Sequence, residues 1–263
     1  MVKRHIVFAL LATLLIPVSC TVKEDRVPCP AYLNVSFLDR ENILGKVGLL
    51  GWDQSEMFRE SIDVADYDPY WVKAVHKEVF WFAAWEGNRD ALVAGRYITI
   101  APGNQCDSLY AYFQEVDATV DEMTYAEVAF KKQFATVRVD ILKSAAEMRS
   151  YDFFVRGNTN GFDMLTFEPV PGVFSYVPSP AAGARVIEFR LPRQSDNSVA
   201  LTIWREGLPI GDFPLGEYIA RTGYRWDTEE LQDIYVVIDL VVGQITINVE
   251  GWEEGAVFTY VEQ

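Results

Sequence analysis

One stretch of this chain leaves little choice of fold. Val79-Phe80-Trp81-Phe82-Ala83-Ala84-Trp85 is apolar without a break and is closed by Glu86-Gly87-Asn88, the pattern of a strand covered on both faces. Shorter strand patterns surround it. Tyr32–Leu38 alternates, with Leu33, Val35 and Phe37 on one face. Residues 47–52, 71–76, 97–101 and 108–116 read as further strands, and the polar stretch 53–70 reads as a loop or edge excursion. After the acidic turn Asp121-Glu122, residues 124–130 and 134–142 flank Lys131-Lys132-Gln133 as an apparent hairpin. Phe153–Arg156 then ends in Gly157-Asn158-Thr159-Asn160-Gly161, and 164–167, 173–177, 184–190 and 199–204 follow between Pro, Gly, Asn and Ser. Residues 231–240 and 244–253 form a closing hairpin turned at Val242-Gly243, and Lys143–Ser150 is the best short helix, barely two turns long. Two strand-rich blocks, 30–122 and 123–263, each with turns every eight to twelve residues, predict an all-β chain of two tandem sandwiches.

The N-terminus carries a different kind of signal. Met1-Val2-Lys3-Arg4-His5 is basic, residues 6–18 are apolar except for Thr13, and Ser19-Cys20 precede the polar run Thr21–Arg26. This is a secretory signal and not a membrane span, which needs about 20 apolar residues. Ile16-Pro17-Val18-Ser19-Cys20 resembles a bacterial lipobox, with Pro17 where leucine is usual. That likeness implies removal of residues 1–19, a lipid on Cys20 as the new N-terminus, and residues 20–29 as a lipidated tether. Losing Lys3 and Arg4 moves the formal charge from −15 to −17. So acidic a chain lacks the clustered Lys and Arg that nucleic acid demands, and membrane attachment must come from lipid. With half its residues apolar, the chain can build a real core.

Chemistry finds little support. Catalysis by acyl transfer or by zinc usually recruits histidine; past the signal only His76 remains, and it reads as a partly buried structural residue. No G-x-S-x-G, Walker loop or G-x-G-x-x-G occurs. Asp63, Asp66 and Asp68 lack the glycine and distal glutamate of an EF-hand loop and read as a solvated acidic loop. Glu229-Glu230 and Glu253-Glu254 are neighbours that point to opposite faces of a strand, so neither makes an acid–base pair. The expectation is no enzyme, metal or cofactor. With Cys20 lipidated, Cys29 and Cys106 are left either as a disulfide or as two free thiols. Trp81 and Trp85 read as core, whereas Trp226 and Trp252 are better candidates for exposure, and they motivate an alternative role as a surface module binding glycan or host protein.

The closing sequence carries a resemblance. LGEYI (215–219), LQDIYVVIDL (231–240) and ITINVEGWE (245–253) resemble the FimB-type anchor and accessory lipoproteins of Bacteroidales fimbriae. Cys29-Pro30 before Leu33–Phe37, AGRYITIA (94–101) and FFVRGNTNGFD (153–163) are similar to the same family. Lys23-Glu24-Asp25 is similar to the signal that sends lipoproteins of these bacteria to the cell surface. The resemblance implies two transthyretin-like β-sandwiches in a lipoprotein of the outer membrane, exposed at the surface. It implies a role in adhesion, anchoring or terminating a fimbria by strand-mediated contact with a stalk subunit. An anchor would keep Tyr32–Leu38 in place, closing its own groove, and cleavage at Arg26 or Arg40 would cut the fibre loose. The alternating tail at Val257, Phe258, Thr259 and Tyr260 is a candidate donor or contact strand, or else an ordinary closing edge strand.

Overall fold

The computed structural model describes residues 29–43, 45–143, 151–180, 185–240, 244–249 and 256–259. Cys20, Trp252, Tyr260 and the helix expected at 143–150 (beyond Lys143) lie outside the described residues. The first strands are β1 (Ala31–Phe37), β2 (Lys46–Asp53), β3 (Ser55–Asp63), β4 (Trp71–Val75), β5 (Val79–Glu86), β6 (Leu92–Ala94) and β7 (Tyr97–Thr99). They continue as β8 (Tyr110–Asp117), β9 (Met123–Val128), β10 (Lys131–Lys132), β11 (Phe134–Ile141), β12 (Tyr151–Asp163) and β13 (Pro169–Tyr176). The last are β14 (Val186–Pro192), β15 (Ala200–Arg205), β16 (Leu208–Phe213), β17 (Ile234–Asp239), β18 (Gln244–Val249) and β19 (Ala256–Thr259). One α-helix, α1 (Leu215–Arg221), is found among the described residues.

The chain is all-β and builds the same sandwich twice. In the first, the sheet β4-β1-β9 faces the sheet β10-β8-β5-β2-β3. In the second, β14-β11-β17-β18-β19 faces β16-β15-β12-β7-β6, with β13 also paired to β12. Strands β1, β2, β3, β4, β5, β8 and β9 correspond in order to β11, β12, β13, β14, β15, β16 and β17. In both units the first strand is antiparallel to the fourth and parallel to the last. The hairpin β6–β7 departs from the repeat: it arises between β5 and β8 but pairs with β12 of the second unit.

The uninterrupted run at 79–85 is buried on both sides. Phe80, Phe82 and Ala84 belong to the first core with Leu33, Val35, Leu49 and Val128. Ala83 and Trp85 belong to a second core that also holds Phe153, Val155, Phe162 and Phe189, and Trp81 packs against it. The sheet containing β5 is therefore the middle layer of the molecule. Side chains of this size each contribute about 1.5–3 kcal/mol when fully buried. Gly48 lies opposite Trp85 in the β2–β5 ladder, and a Cβ there would lie 2.2 Å from the indole. The hairpin β6–β7 covers the same face: Arg59 donates to Gly95 O at 2.5 Å and sits 5.7 Å from the Trp85 ring centre.

Three local readings sharpen or change. Of the loop or edge excursion read at 53–70, residues 55–63 form an edge strand, β3, polar because one face meets water. Gly157–Gly161 continues β12 and is not a turn; a Cβ on Gly161 would lie 2.1 Å from Ile98 O, so glycine is needed for β7 to approach. Residues 164–166 form a turn where a strand is expected. β9 pairs with β1 from Tyr32↔Met123 to Phe37↔Val128 and sends Ala126 and Val128 into the first core.

Cys29 and Cys106 are both free thiols, so of the two arrangements open to them the disulfide is not formed. Cys29 is exposed ahead of β1, whereas Cys106 is buried in the second core, where desolvation pushes its thiol well above the ordinary range. With a thiol reagent at neutral pH, Cys29 should label rapidly and Cys106 only as fast as the chain unfolds; rapid labelling of Cys106 would contradict this packing. Gly48→Ala should destabilise the fold by about 1–3 kcal/mol through overpacking against Trp85, read as a lower urea midpoint.

Candidate functional site

A cleft of about 950 Å³ opens where the two sandwiches meet. Its walls come from β8, from the turn after β12, from the segment following β14, and from the loop after α1. Each wall is held by identifiable chemistry.

The turn after β12 is organised by Asp163. Its Oδ1 accepts from Leu165 N at 2.9 Å, its backbone oxygen accepts from Phe167 N at 2.8 Å, and Arg96 Nε donates to its Oδ2 at 2.6 Å. Hydrogen bonding to Asp163 raises the Arg96 guanidinium above its ordinary value. The turn delivers Phe167 at φ 59°, a left-handed conformation that costs a bulky residue on the order of 1–3 kcal/mol. The ring crosses to the first sandwich: its centre is 4.7 Å from that of Phe113 on β8, edge to face, and 6.1 Å from that of Phe162.

Arg193 fixes the loop. It is 2% exposed and its hydrogen-bond partners are all carbonyl oxygens. Nε donates to Gln133 Oε1 at 2.7 Å, Nη1 to Trp226 O at 2.6 Å and Nη2 to Glu229 O at 2.9 Å. Its guanidinium carbon lies 5.4 Å from the Phe167 ring centre. Burial pushes the Arg193 guanidinium down to about 10. Gln133 completes the clamp by donating to Lys131 O at 3.0 Å and to Glu229 O at 3.2 Å. Gly223, at φ 84° just past α1, turns the chain into this loop. Tyr224 then donates to Gln232 O at 2.8 Å, and burial raises its phenol above the usual range. The Tyr224 and Trp226 ring centres are 4.7 Å apart. Beside Arg193, Gln194 is 4% exposed and leaves its Oε1 without a partner among the described residues.

The residues singled out from the sequence are scattered. Trp226 is half-buried in the cleft wall. Val257, Phe258 and Thr259 lie on β19, paired with Thr246, Ile245 and Gln244 of β18. β19 is the outermost strand of its sheet, far in the strand order from β14 at the other edge. His76 is exposed beyond β4 and not partly buried, because the chain turns there with Glu78 N donating to His76 O. Asp63 accepts from Ala65 N within a local turn, and Asp68 pairs with Arg40 at 3.5 Å. Among the described residues no three His, Cys, Asp or Glu are grouped as metal ligands. Phe167, Arg193 and Gln194 escaped the sequence reading. Their only local signal is Pro192-Arg193-Gln194 between two strands, which is indistinguishable from a solvated loop.

No family model matches the chain, and no curated protein matches it at a meaningful level. Solved structures do. A Bacteroides thetaiotaomicron protein proposed to bind polysaccharide superposes with a TM-score of 0.60 at 15% identity, over 88% of this chain and 99% of that one. The fimbrial anchor protein Mfa2 of Porphyromonas gingivalis gives 0.60 at 11% identity, over 85% and 98%. A proposed adhesin from Bacteroides ovatus gives 0.57 at 13%, over 87% and 95%. At these identities the likeness is one of fold alone.

Proposed function

We propose that this chain is a lipoprotein of the outer membrane that anchors or terminates a fimbria, held through Cys20 and contacting a stalk subunit by strand pairing. The observation that carries the reading is the state of β1. In growth by strand addition, a subunit accepts its neighbour's strand into a groove left by a missing strand. Here β1 occupies the centre of its sheet, antiparallel to β4 and parallel to β9, and Ala31, Leu33 and Val35 are fully buried. A subunit in this state has no vacant groove and ends a chain. Arg40, just past β1, is tied back by donation to Val64 O at 2.5 Å, which keeps that junction folded. The fold shared with the fimbrial anchor Mfa2 supports the same reading.

The contact is assigned to β19. Among the described residues it is the outermost strand of its sheet, with one row of backbone groups facing away from β18. Deleting residues 255–263 should abolish capture of the purified stalk subunit while leaving the rest of the fold intact; undiminished capture would rule β19 out. Replacing Cys20 with Ala in the producing cell should shed fimbriae into the medium or leave them abnormally long. Fimbriae of normal length that stay attached, with the variant still made, would refute the anchor reading.

A further inference from the structure

The inter-sandwich cleft suggests a binding activity that does not draw on the fimbrial reading. Its volume of about 950 Å³ lies within the 300–1,000 Å³ range of small-molecule sites. One feature marks it as more than a packing gap: Phe167 in its wall, strained at φ 59°, is the kind of backbone outlier that recurs at ligand clamps.

The chemistry of the walls narrows the ligand. Lys131, Arg193 and Arg225 are balanced by Glu168, Asp227 and Glu229. Arg225 and Asp227 hold each other at 2.7 Å, and the Arg193 fork is filled by carbonyl oxygens. Neither a polyanion nor a polycation finds a complementary field there. An added peptide strand would need free backbone acceptors, but four carbonyls around the cleft are taken. Lys131 O and Glu229 O accept from Gln133, Lys132 O accepts from Leu231 N, and Trp226 O accepts from Arg193. What remains is half-buried aromatic surface at Trp226, Phe113 and Phe167 with neutral polar groups beside it. Sugar rings meet that combination, stacking a C–H face on an aromatic while their hydroxyls take hydrogen bonds.

We propose that this cleft binds a short neutral oligosaccharide, with Trp226 as the stacking surface. The test uses the full chain with Cys20→Ser, titrated calorimetrically with maltohexaose, cellohexaose and mannohexaose, and with hexagalacturonate as an anionic control. At least one neutral hexasaccharide should bind one to one. Trp226→Ala should weaken it by about 10-fold or more, and Trp226→Leu serves if the first variant melts early. Tyr235→Ala, an exposed tyrosine on β17 outside the cleft, should leave binding unchanged. Absence of binding by all three neutral sugars at about 10 mM, preference for the uronate, or indifference to both Trp226 variants would each overturn the proposal. None of these results depends on whether fimbriae are anchored through Cys20.

Discussion

The middle sheet has no solvent face, and the rest of the molecule is arranged to cover it. On β5, Phe80, Phe82 and Ala84 enter one core while Trp81, Ala83 and Trp85 meet the other. A sheet carrying phenylalanines on one side and indoles on the other cannot stand as the outer wall of a single sandwich without exposing a large apolar patch. The second sandwich and the borrowed hairpin β6–β7 meet that demand. This explains why β6–β7 leaves the sequence-local unit: its place over Trp52 and Trp85 matters more than its position in the chain. It also makes the two sandwiches one packed body along that wall.

Where the wall ends, the cleft begins, and its electrostatics follow from the same economy of charge. A buried guanidinium facing a carboxylate would leave an ion pair in low dielectric; here the fork is met by neutral carbonyls. The arrangement ties the loop after α1 to the linker between sandwiches and leaves the opening with balanced charge. Phe167 completes the junction, since its ring touches β8 of the first unit from a turn of the second. Strain in that turn is sustained because Asp163 bonds both Leu165 N and Phe167 N.

Much of the strand content was legible because side-chain alternation is a local signal. The run at 79–85 announced its double burial, and the alternation of Tyr32–Leu38 announced β1. The failures share a cause. β3 was hard to tell from a loop because an edge strand with one face in water is polar, and only Met57, Phe58 and Ile62 reach the first core. Gly161 of β12 looked like part of a turn because the reason for it, the backbone of Ile98, lies more than 60 residues upstream in the chain. The pairing of β9 with β1 left no local trace because the two strands lie some 90 residues apart. The free thiols of Cys29 and Cys106 follow likewise: one precedes the first sandwich and the other is buried in the second core.

The sequence by itself determined that the chain is rich in short strands and that one strand must be buried twice. These are properties of composition and of a period of two along the backbone, and they hold whatever the partners are. Only the tertiary structure decided which strands pair, that β1 and β11 each take a parallel neighbour from the far end of their unit, and that the same topology occurs twice. It alone brought Phe113, Phe167, Arg193, Gln194 and Trp226 to one cleft. Register and neighbourhood are set by where apolar faces can be jointly removed from water, and that is a property of distant segments taken together.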